Sequence, residues 1–549
     1  MRTITTLAII LFVSFLSLGQ TDLTAEQWQE DVRYIQHKIL NEYQPLFKKI
    51  TVEDWNKEVN DLYRRIPTMD DHEVKVGIAK IIAKFGYGHT ALWLTAWRYN
   101  RVKDFHQMPY NLYWFSDGIF VQGVHWNFEE ALGAEVIKVG NKTIEEALSA
   151  VRPVVSAEND QFFKAHGLYY LGVPEVLHAV GVIDDMSYVN LTLEKNGKQF
   201  EIRFTPRPSE KLPGYYGLIQ SKGEWLDARP GVNTPYWLKH LDRKYYFEYI
   251  EKFKTVYVRQ SEVQDDETED IPTFYQRVFD FVESNEVEKL VLDLRLNSGG
   301  NNYKNKPVIT GIIESKKINQ PGKLFVILGR RTFSACQNLV NELENYTEAI
   351  FVGEPTAENV NFFGDSRTER LPNSNLAVRL SYLWWQDKDP RDNRPWTPPH
   401  IPVELPSSDY MNNHDPVLNT ILTRDNFEKP VEPWDHLSGL FMQGKIDELK
   451  KTAQQYVRDP NYRFYDFESR MNDAGRQLLG LDRFEEALLI LELTADLFPD
   501  SVDPLMLLGE AYQRSGSLDK AEKTFTKVIK MDPQGTKGEQ ALELLSKMK

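Results

Sequence analysis

The sequence of 549 residues predicts an α/β protein of about three or four domains, and three observations predict it. From about residue 250, near-continuous apolar runs alternate with helical patterns, as in a parallel sheet covered on both faces. Ahead of that stretch lie a helical region and then a series of short alternating segments. Behind it lies a helical tail that resembles itself when shifted along the chain.

Composition bounds the function classes. With 41% hydrophobic, 26% charged and 12% aromatic residues, every large segment can bury a core. The formal charge of -15 argues against nucleic acid and anionic lipid surfaces as partners, because both require clustered Lys and Arg. Residues 1–20 carry Arg2, an apolar run over 7–18 broken by serines, and then Gly19-Gln20, which reads as a signal peptide. The apolar run is shorter than the ~20 residues that span a bilayer, so the mature chain is expected in the periplasm or outside the cell, without stable membrane insertion. The single cysteine, Cys336, rules out an intrachain disulfide, so stability must come from packing.

The elements follow in order. Residues 21–108 are expected as an N-terminal helical domain, because Trp28, Val32, Ile35 and Ile39 recur at helical spacing, as do Val74, Ile78, Ile81 and Ile82. Residues 109–205 are expected as a β-rich domain, with alternating runs at 118–121, 134–137 and 189–193 and turn residues at Gly140-Asn141 and Asn196-Gly197. Residues 206–424 are expected to form the α/β core, with strands at 255–258, 290–294, 324–328 and 349–352 and helices near 274–282 and 335–346. A Pro-rich stretch at Lys429-Pro430 and Glu432-Pro433 leads into a helical tail over 436–549. A shift by the tetratricopeptide period of about 34 residues superposes Gly475 on Gly509, Ala487 on Ala521 and Pro499 on Pro533. So few repeats are near the minimum that buries a shared face, so the tail is expected to pack on the core and is a candidate site for a protein partner.

The candidate chemistry lies in the core. Leu292-Asp293-Leu294-Arg295-Leu296-Asn297-Ser298-Gly299-Gly300 reads as a buried strand ending in a Gly-Gly turn, where backbone without Cβ atoms can approach a substrate closely. Thr332-Phe333-Ser334-Ala335 then delivers a serine to the start of a helix, whose free N–H groups and positive end stabilise an oxyanion. Taken by itself, a serine at that position reads as a helix N-cap.

Together the two stretches resemble the tail-specific, or C-terminal processing, protease family, which includes the tricorn-type core and the interphotoreceptor retinoid-binding proteins. That family carries a Leu-Asp-Leu-Arg-x-Asn-x-Gly-Gly strand and turn and a Phe-Ser-Ala motif, and the resemblance runs from about residue 25 to 424. It implies a crotonase-like (ClpP/crotonase) parallel-sheet core, a PDZ-like domain over 109–205, and a serine-type peptidase that cleaves peptide or protein substrates without a cofactor. By the same resemblance Ser334 is the nucleophile, and the N–H of Ala335 with that of Gly299 or Gly300 forms the oxyanion hole. Members with a Ser-Lys dyad place the lysine in a Gly-Lys-Gly motif after the next strand. Here that segment reads Gly353-Glu354-Pro355-Thr356-Ala357-Glu358-Asn359-Val360-Asn361, and no lysine occurs between Ser334 and Lys388. Tricorn-like members use the histidine of an Asp-Gly-His-Thr motif. Gly86-Tyr87-Gly88-His89-Thr90 matches it except at Tyr87, which implies His89 as the general base. The family's Pro-Asp-Ile-x-Val ending stands here as Pro399-His400-Ile401-Pro402-Val403. The acids just before it, Asp387, Asp389 and Asp392, are candidates to orient the histidine, and position favours Asp392.

Cys336 reads as a small buried residue rather than a nucleophile. The eleven histidines show no His-x-x-x-His spacing, so no metal site is expected. Two other function classes stay open: a non-catalytic protein of the same fold that binds hydrophobic ligands or peptides, and a scaffold whose tail recruits a partner beside a vestigial core.

Overall fold

The computed structural model describes residues 23–94, 105–424 and 431–548, so the expected signal peptide and the Lys429-Pro430 end of the linker lie outside it. The chain opens with three helices, α1 (Ala25–Glu42), α2 (Val52–Arg65) and α3 (Asp71–Ala83). Each starts where a side chain meets the free N–H groups of a first turn. Thr24 with Gln27 and Asp70 with Glu73 form capping boxes, and Thr51 accepts from the Asp54 N–H. The helical stretch ends earlier than expected, and residues 84–94 form a turn and an extended segment instead.

An antiparallel sheet follows, with β1 (Tyr110–Phe115), β2 (Gly118–His125), β3 (Glu135–Val139), β4 (Val189–Lys195) and β5 (Lys198–Phe204). Asn196 and Gly197 turn β4 into β5 with φ of 55° and 71°, the backbone that a two-residue hairpin requires. Between β3 and β4 the chain forms α4 (Ile144–Val151) and α5 (Asp160–His166). A further strand, β6 (Trp225–Asp227), pairs with β2 from Trp225 opposite His125 to Asp227 opposite Gly123. The core was expected to begin at residue 206, but this pairing extends the preceding sheet instead. The helices and this sheet also share one apolar cluster, which runs from Trp28 and Val32 through Val121 and Leu191 to Phe363 and Leu380.

The core sheet contains β7 (Tyr245–Ile250), β8 (Thr255–Gln260), β9 (Lys289–Asp293), β10 (Leu324–Leu328) and β11 (Ile350–Gly353). A hairpin of β12 (Asn361–Arg370) and β13 (Ala377–Gln386) stands apart, and β14 (Ile401–Pro402) returns to the sheet edge. The order is β7-β8-β9-β10-β11-β14, with β7 antiparallel and the rest parallel. One face is covered by α6 (Ile271–Ser284), α7 (Lys306–Glu314) and α8 (Ala335–Tyr346), through Phe274, Val278, Val308, Ile312, Leu339 and Leu343. The other receives Val417, Leu418 and Ile421 of α9 (Pro416–Thr423) against Val291, Phe325 and Ile327. Because both faces are buried, the strands are apolar at nearly every position, and each such side chain contributes about 1.5–3 kcal/mol.

The tail begins with α10 (Pro433–Met442) and α11 (Ile446–Arg458). It continues through α12 (Phe467–Gly480), α13 (Phe484–Leu497), α14 (Val502–Arg514), α15 (Leu518–Met531) and α16 (Thr536–Met548). The repeated glycines have one physical cause. A Cβ at Gly475 would meet Leu491 of α13 at 2.4 Å, and one at Gly509 would meet Phe525 of α15 at 2.5 Å. The tail rests on the core, where the Trp396 indole donates to the Phe464 carbonyl at 2.8 Å and Arg463 pairs with Glu404 at 3.2 Å. Among the described residues, no helix is long and apolar enough to cross a membrane.

Candidate active site

Strands β9 and β10 are parallel neighbours, so the segments leaving their C-terminal ends emerge on the same edge of the sheet, where open α/β sheets hold ligands. Side chains of the Leu-Asp-Leu-Arg stretch fasten that edge. Asp293 accepts from the Tyr257 hydroxyl at 2.7 Å and from the Arg295 Nε at 3.0 Å, and Arg295 reaches both oxygens of Asp415 at 3.0 and 2.9 Å. The two emerging segments are then bound to each other. The Asn297 carbonyl accepts from the Phe333 N–H at 3.1 Å, and the Thr332 hydroxyl donates to the Leu294 carbonyl at 2.9 Å.

Ser334 sits at the head of α8 with φ 58° and ψ -130°, a conformation that costs a residue with a side chain on the order of 1–3 kcal/mol and persists only where its surroundings enforce it. Glu358 holds the Ser334 N–H at 2.8 Å, and Gly299, at φ 93°, leaves the room the conformation needs. A Cβ there would stand 2.6 Å from the Ser334 Cβ and 2.9 Å from the Ala335 nitrogen. The Gly299 N–H is occupied, donating to Asn297 Oδ1 at 2.9 Å. The N–H groups of Ala335 and Gly300 find no acceptor among the described residues. Of the two pairs left open by the sequence, the geometry therefore favours Ala335 with Gly300.

His89 arrives from the turn after α3, far away in sequence. Thr90 anchors that turn, its hydroxyl donating to Ser381 at 2.9 Å, while Ala91 bridges to Arg379 of β13. Gly88 is required because a Cβ would strike the Phe162 and Phe333 rings at 2.6 and 2.7 Å. The imidazole lies flat between Phe333, at 4.5 Å, and Phe362, at 6.0 Å. Its Nε2 stands 2.9 Å from the Ser334 Oγ. Burial, with the Arg379 charge second, holds its pKa down at about 3, so the ring stays neutral and able to accept a proton.

The other ring nitrogen does not face Asp392. The expected third member is claimed elsewhere: Arg394 donates to the Asp392 carboxylate from Nε at 3.0 Å and from a terminal nitrogen at 2.8 Å, and the same guanidinium grips Glu344. Asp389 is paired with Arg391 and Asp387 accepts from Asn341, so neither replaces it. The carboxylate beside His89 belongs to Glu358, whose Oε2 lies 3.7 Å from Nδ1 and accepts the Ser334 N–H at 2.8 Å. Burial first, and the nearby Glu158 second, push its pKa well above the usual carboxyl range. Glu358 lies in the segment where dyad members carry their lysine, so its place along the chain was visible in the sequence and its chemistry was overlooked. Glu158, which accepts the Gly88 N–H at 2.9 Å, lies in no motif and gave no signal.

Cys336 is fully buried, and burial pushes its thiol pKa well above the ordinary value, so it is no nucleophile. Among the described residues no cluster of His, Cys, Asp and Glu could hold a metal ion. Ser334, His89 and the Gly299-Gly300 turn open onto a cavity of about 800 Å³, with Trp93, Met108 and Leu168 among its apolar walls and Arg331 among its charged ones.

A family model described as the tetratricopeptide repeat matches residues 478–547. No curated protein matches the sequence. Among solved structures, mature CPAF in complex with lactacystin superposes with a TM-score of 0.50 at 13% identity, covering 70% of this chain and 95% of that one. A serine-to-alanine mutant of CPAF gives 0.51 at 12% identity, covering 74% and 99%. The photosystem II D1 C-terminal processing protease gives 0.34 at 14% identity, covering 69% and 92%. At such identity the CPAF likeness speaks to the fold, a mixed α/β architecture of helices and sheets. The chain thus shares its fold with CPAF, resembles the tail-specific, or C-terminal processing, proteases in its motifs, and ends in tetratricopeptide repeats.

Proposed function

We propose that this chain is an exported serine peptidase that hydrolyses peptide bonds through an acyl-enzyme. One observation carries the reading: His89 Nε2 and Ser334 Oγ, 245 residues apart in sequence, lie 2.9 Å apart beside two main-chain N–H groups that find no acceptor among the described residues. Ser334 Oγ attacks the carbonyl carbon as its proton passes to His89 Nε2, and the developing oxyanion is received by the N–H groups of Ala335 and Gly300. His89 then returns the proton to the leaving amine, and the same steps with water release the acid. Glu358 faces Nδ1 and favours the tautomer that leaves Nε2 free to accept. In this reading the core is crotonase-like, the antiparallel sheet beside the cavity is a PDZ-like unit, and residues 1–20 direct export to the periplasm or beyond. The tail is a docking platform for a protein partner.

The test is covalent labelling by a fluorophosphonate probe. The wild type is expected to label. Ser334→Ala should abolish labelling, and His89→Ala should slow it by about 10²–10⁴-fold. Lactacystin, found in complex with mature CPAF, is expected to compete with the probe. Equal labelling of wild type and Ser334→Ala overturns the assignment.

A further inference from the structure

Building on that reading, we infer that Glu158 is a positioning residue that holds a single proton in common with Glu358 and takes it over while His89 is charged. Both acids are buried, at 7% and 0% exposure. Each has one oxygen occupied by a main-chain donor, Gly88 for Glu158 and Ser334 for Glu358. The other oxygen of each, Oε1, is buried without a hydrogen-bond partner among the described residues, and the two acids flank consecutive residues, Glu158 at the Gly88 N–H and Glu358 at the His89 ring, with the Glu158 charge acting on Glu358. Ionised carboxylate oxygens only accept, so two of them facing each other in a dry site repel, and one proton between them satisfies both. A side chain ties the two segments together, because the Asn159 amide, on the residue after Glu158, donates to the carbonyl of Thr356, two residues before Glu358, at 3.3 Å.

The charged and titratable surroundings leave this proton its place. Lys49 acts on Glu358 from a distance while donating to the Gly86 carbonyl at 2.7 Å. Tyr87 faces Glu158 with a phenol whose pKa burial raises beyond the ordinary range, Arg379 acts on His89, and His89 itself faces Glu358. At rest the proton sits on Glu358 and is donated to Glu158. When His89 Nε2 takes the Ser334 proton, the shared proton crosses to Glu158, and Glu358 meets the imidazolium as a carboxylate. When His89 passes its proton to the leaving group, the shared proton returns. No proton enters or leaves the pair.

Two readouts test this in the full chain. Infrared difference spectra at neutral pH should show a protonated carboxyl stretch that disappears in both Glu158→Gln and Glu358→Gln. If burial alone protonated Glu358, Glu158→Gln would keep the band, and that result overturns the proposal. In Glu158→Gln the amide can still accept from Gly88 while donating to Glu358, which becomes a permanent carboxylate beside His89. The acid limb of the fluorophosphonate labelling rate should then move to higher pH by about one unit, a tenfold loss at a fixed pH on that limb. A purely structural role would lower the rate and leave the limb in place, which also overturns the proposal. Failure of the peptidase reading is separately visible, because wild type and Ser334→Ala would then label alike while the infrared band still decides the proton. Should Glu158→Gln fail to fold, Glu158→Asp, which can keep the shared proton, is expected to retain the band, and its loss there overturns the proposal.

Discussion

Which acid can orient a histidine depends on what else claims it. Asp392 is held by Arg394 through Nε and a terminal nitrogen, and Arg470 of the tail stands 3.9 Å away, so its charge is spent on an ion cluster between core and tail. Among the described residues Glu358 is paired with no Lys or Arg, and its Oε2 takes the Ser334 N–H before it meets His89. Replacing Asp392 by Asn should therefore leave the labelling rate within about twofold, while lowering stability by about 1–3 kcal/mol in urea unfolding because Arg394 loses a charged partner. Replacing Glu358 by Gln should do the reverse at the site, slowing labelling by on the order of 10²–10⁴-fold with Ser334 and His89 both present. Equal effects of the two substitutions on labelling would return Asp392 to the mechanism.

At the scale of elements, the serine, its oxyanion donors and the histidine meet through three connections: the turn after β9, the turn after β10 and the turn after α3. The first two are legible in the sequence, because a Gly-Gly turn after an apolar strand and a serine at a helix head each obey local rules that neighbouring residues impose. The third is visible only as a motif, since nothing local to Gly86-Tyr87-Gly88-His89 dictates that it crosses to β10. That crossing is made by Thr90 with Ser381 and by the Phe333 and Phe362 rings, contacts between residues hundreds of positions apart. Glu158 and the return of β6 to β2 were illegible for the same reason: one side chain and three paired residues create no periodicity. The Gly299 turn offers a sharp test. Gly299→Ala adds a methyl 2.6 Å from the Ser334 Cβ at φ 93°, so a folded variant should label at least about tenfold more slowly, with the loss confined to the serine and its oxyanion donors. Labelling at the wild-type rate would show that the turn yields without disturbing Ser334.

Across the whole molecule, the packing that builds the site also sets how it responds to acid. The helices, the antiparallel sheet and the β12–β13 hairpin bury one continuous cluster, and His89 and His166 both lie against it. His166 packs on Phe162 at 4.5 Å and Trp93 at 5.6 Å; burial first, and the Arg331 charge second, hold its pKa down at about 3 against an ordinary 6.5. Below pH 6.5 the unfolded chain binds a proton at each of these two histidines that the folded chain refuses. Their stabilising contribution is therefore full above pH 6.5 and falls as pH drops toward about 3. Glu358 acts with the opposite sign, because its raised pKa gives stability below pH 4.5 that fades as pH rises through the folded value. Taking the difference between wild type and His166→Gln cancels Glu358, His89 and the other shared groups, and leaves one proton. Between pH 6.5 and about 3, wild-type stability should fall relative to the variant by about 1.4 kcal/mol per pH unit, measured by urea unfolding at several pH values. A difference independent of pH would mean that His166 titrates alike in both states, and that the aromatic wall around it admits the imidazolium.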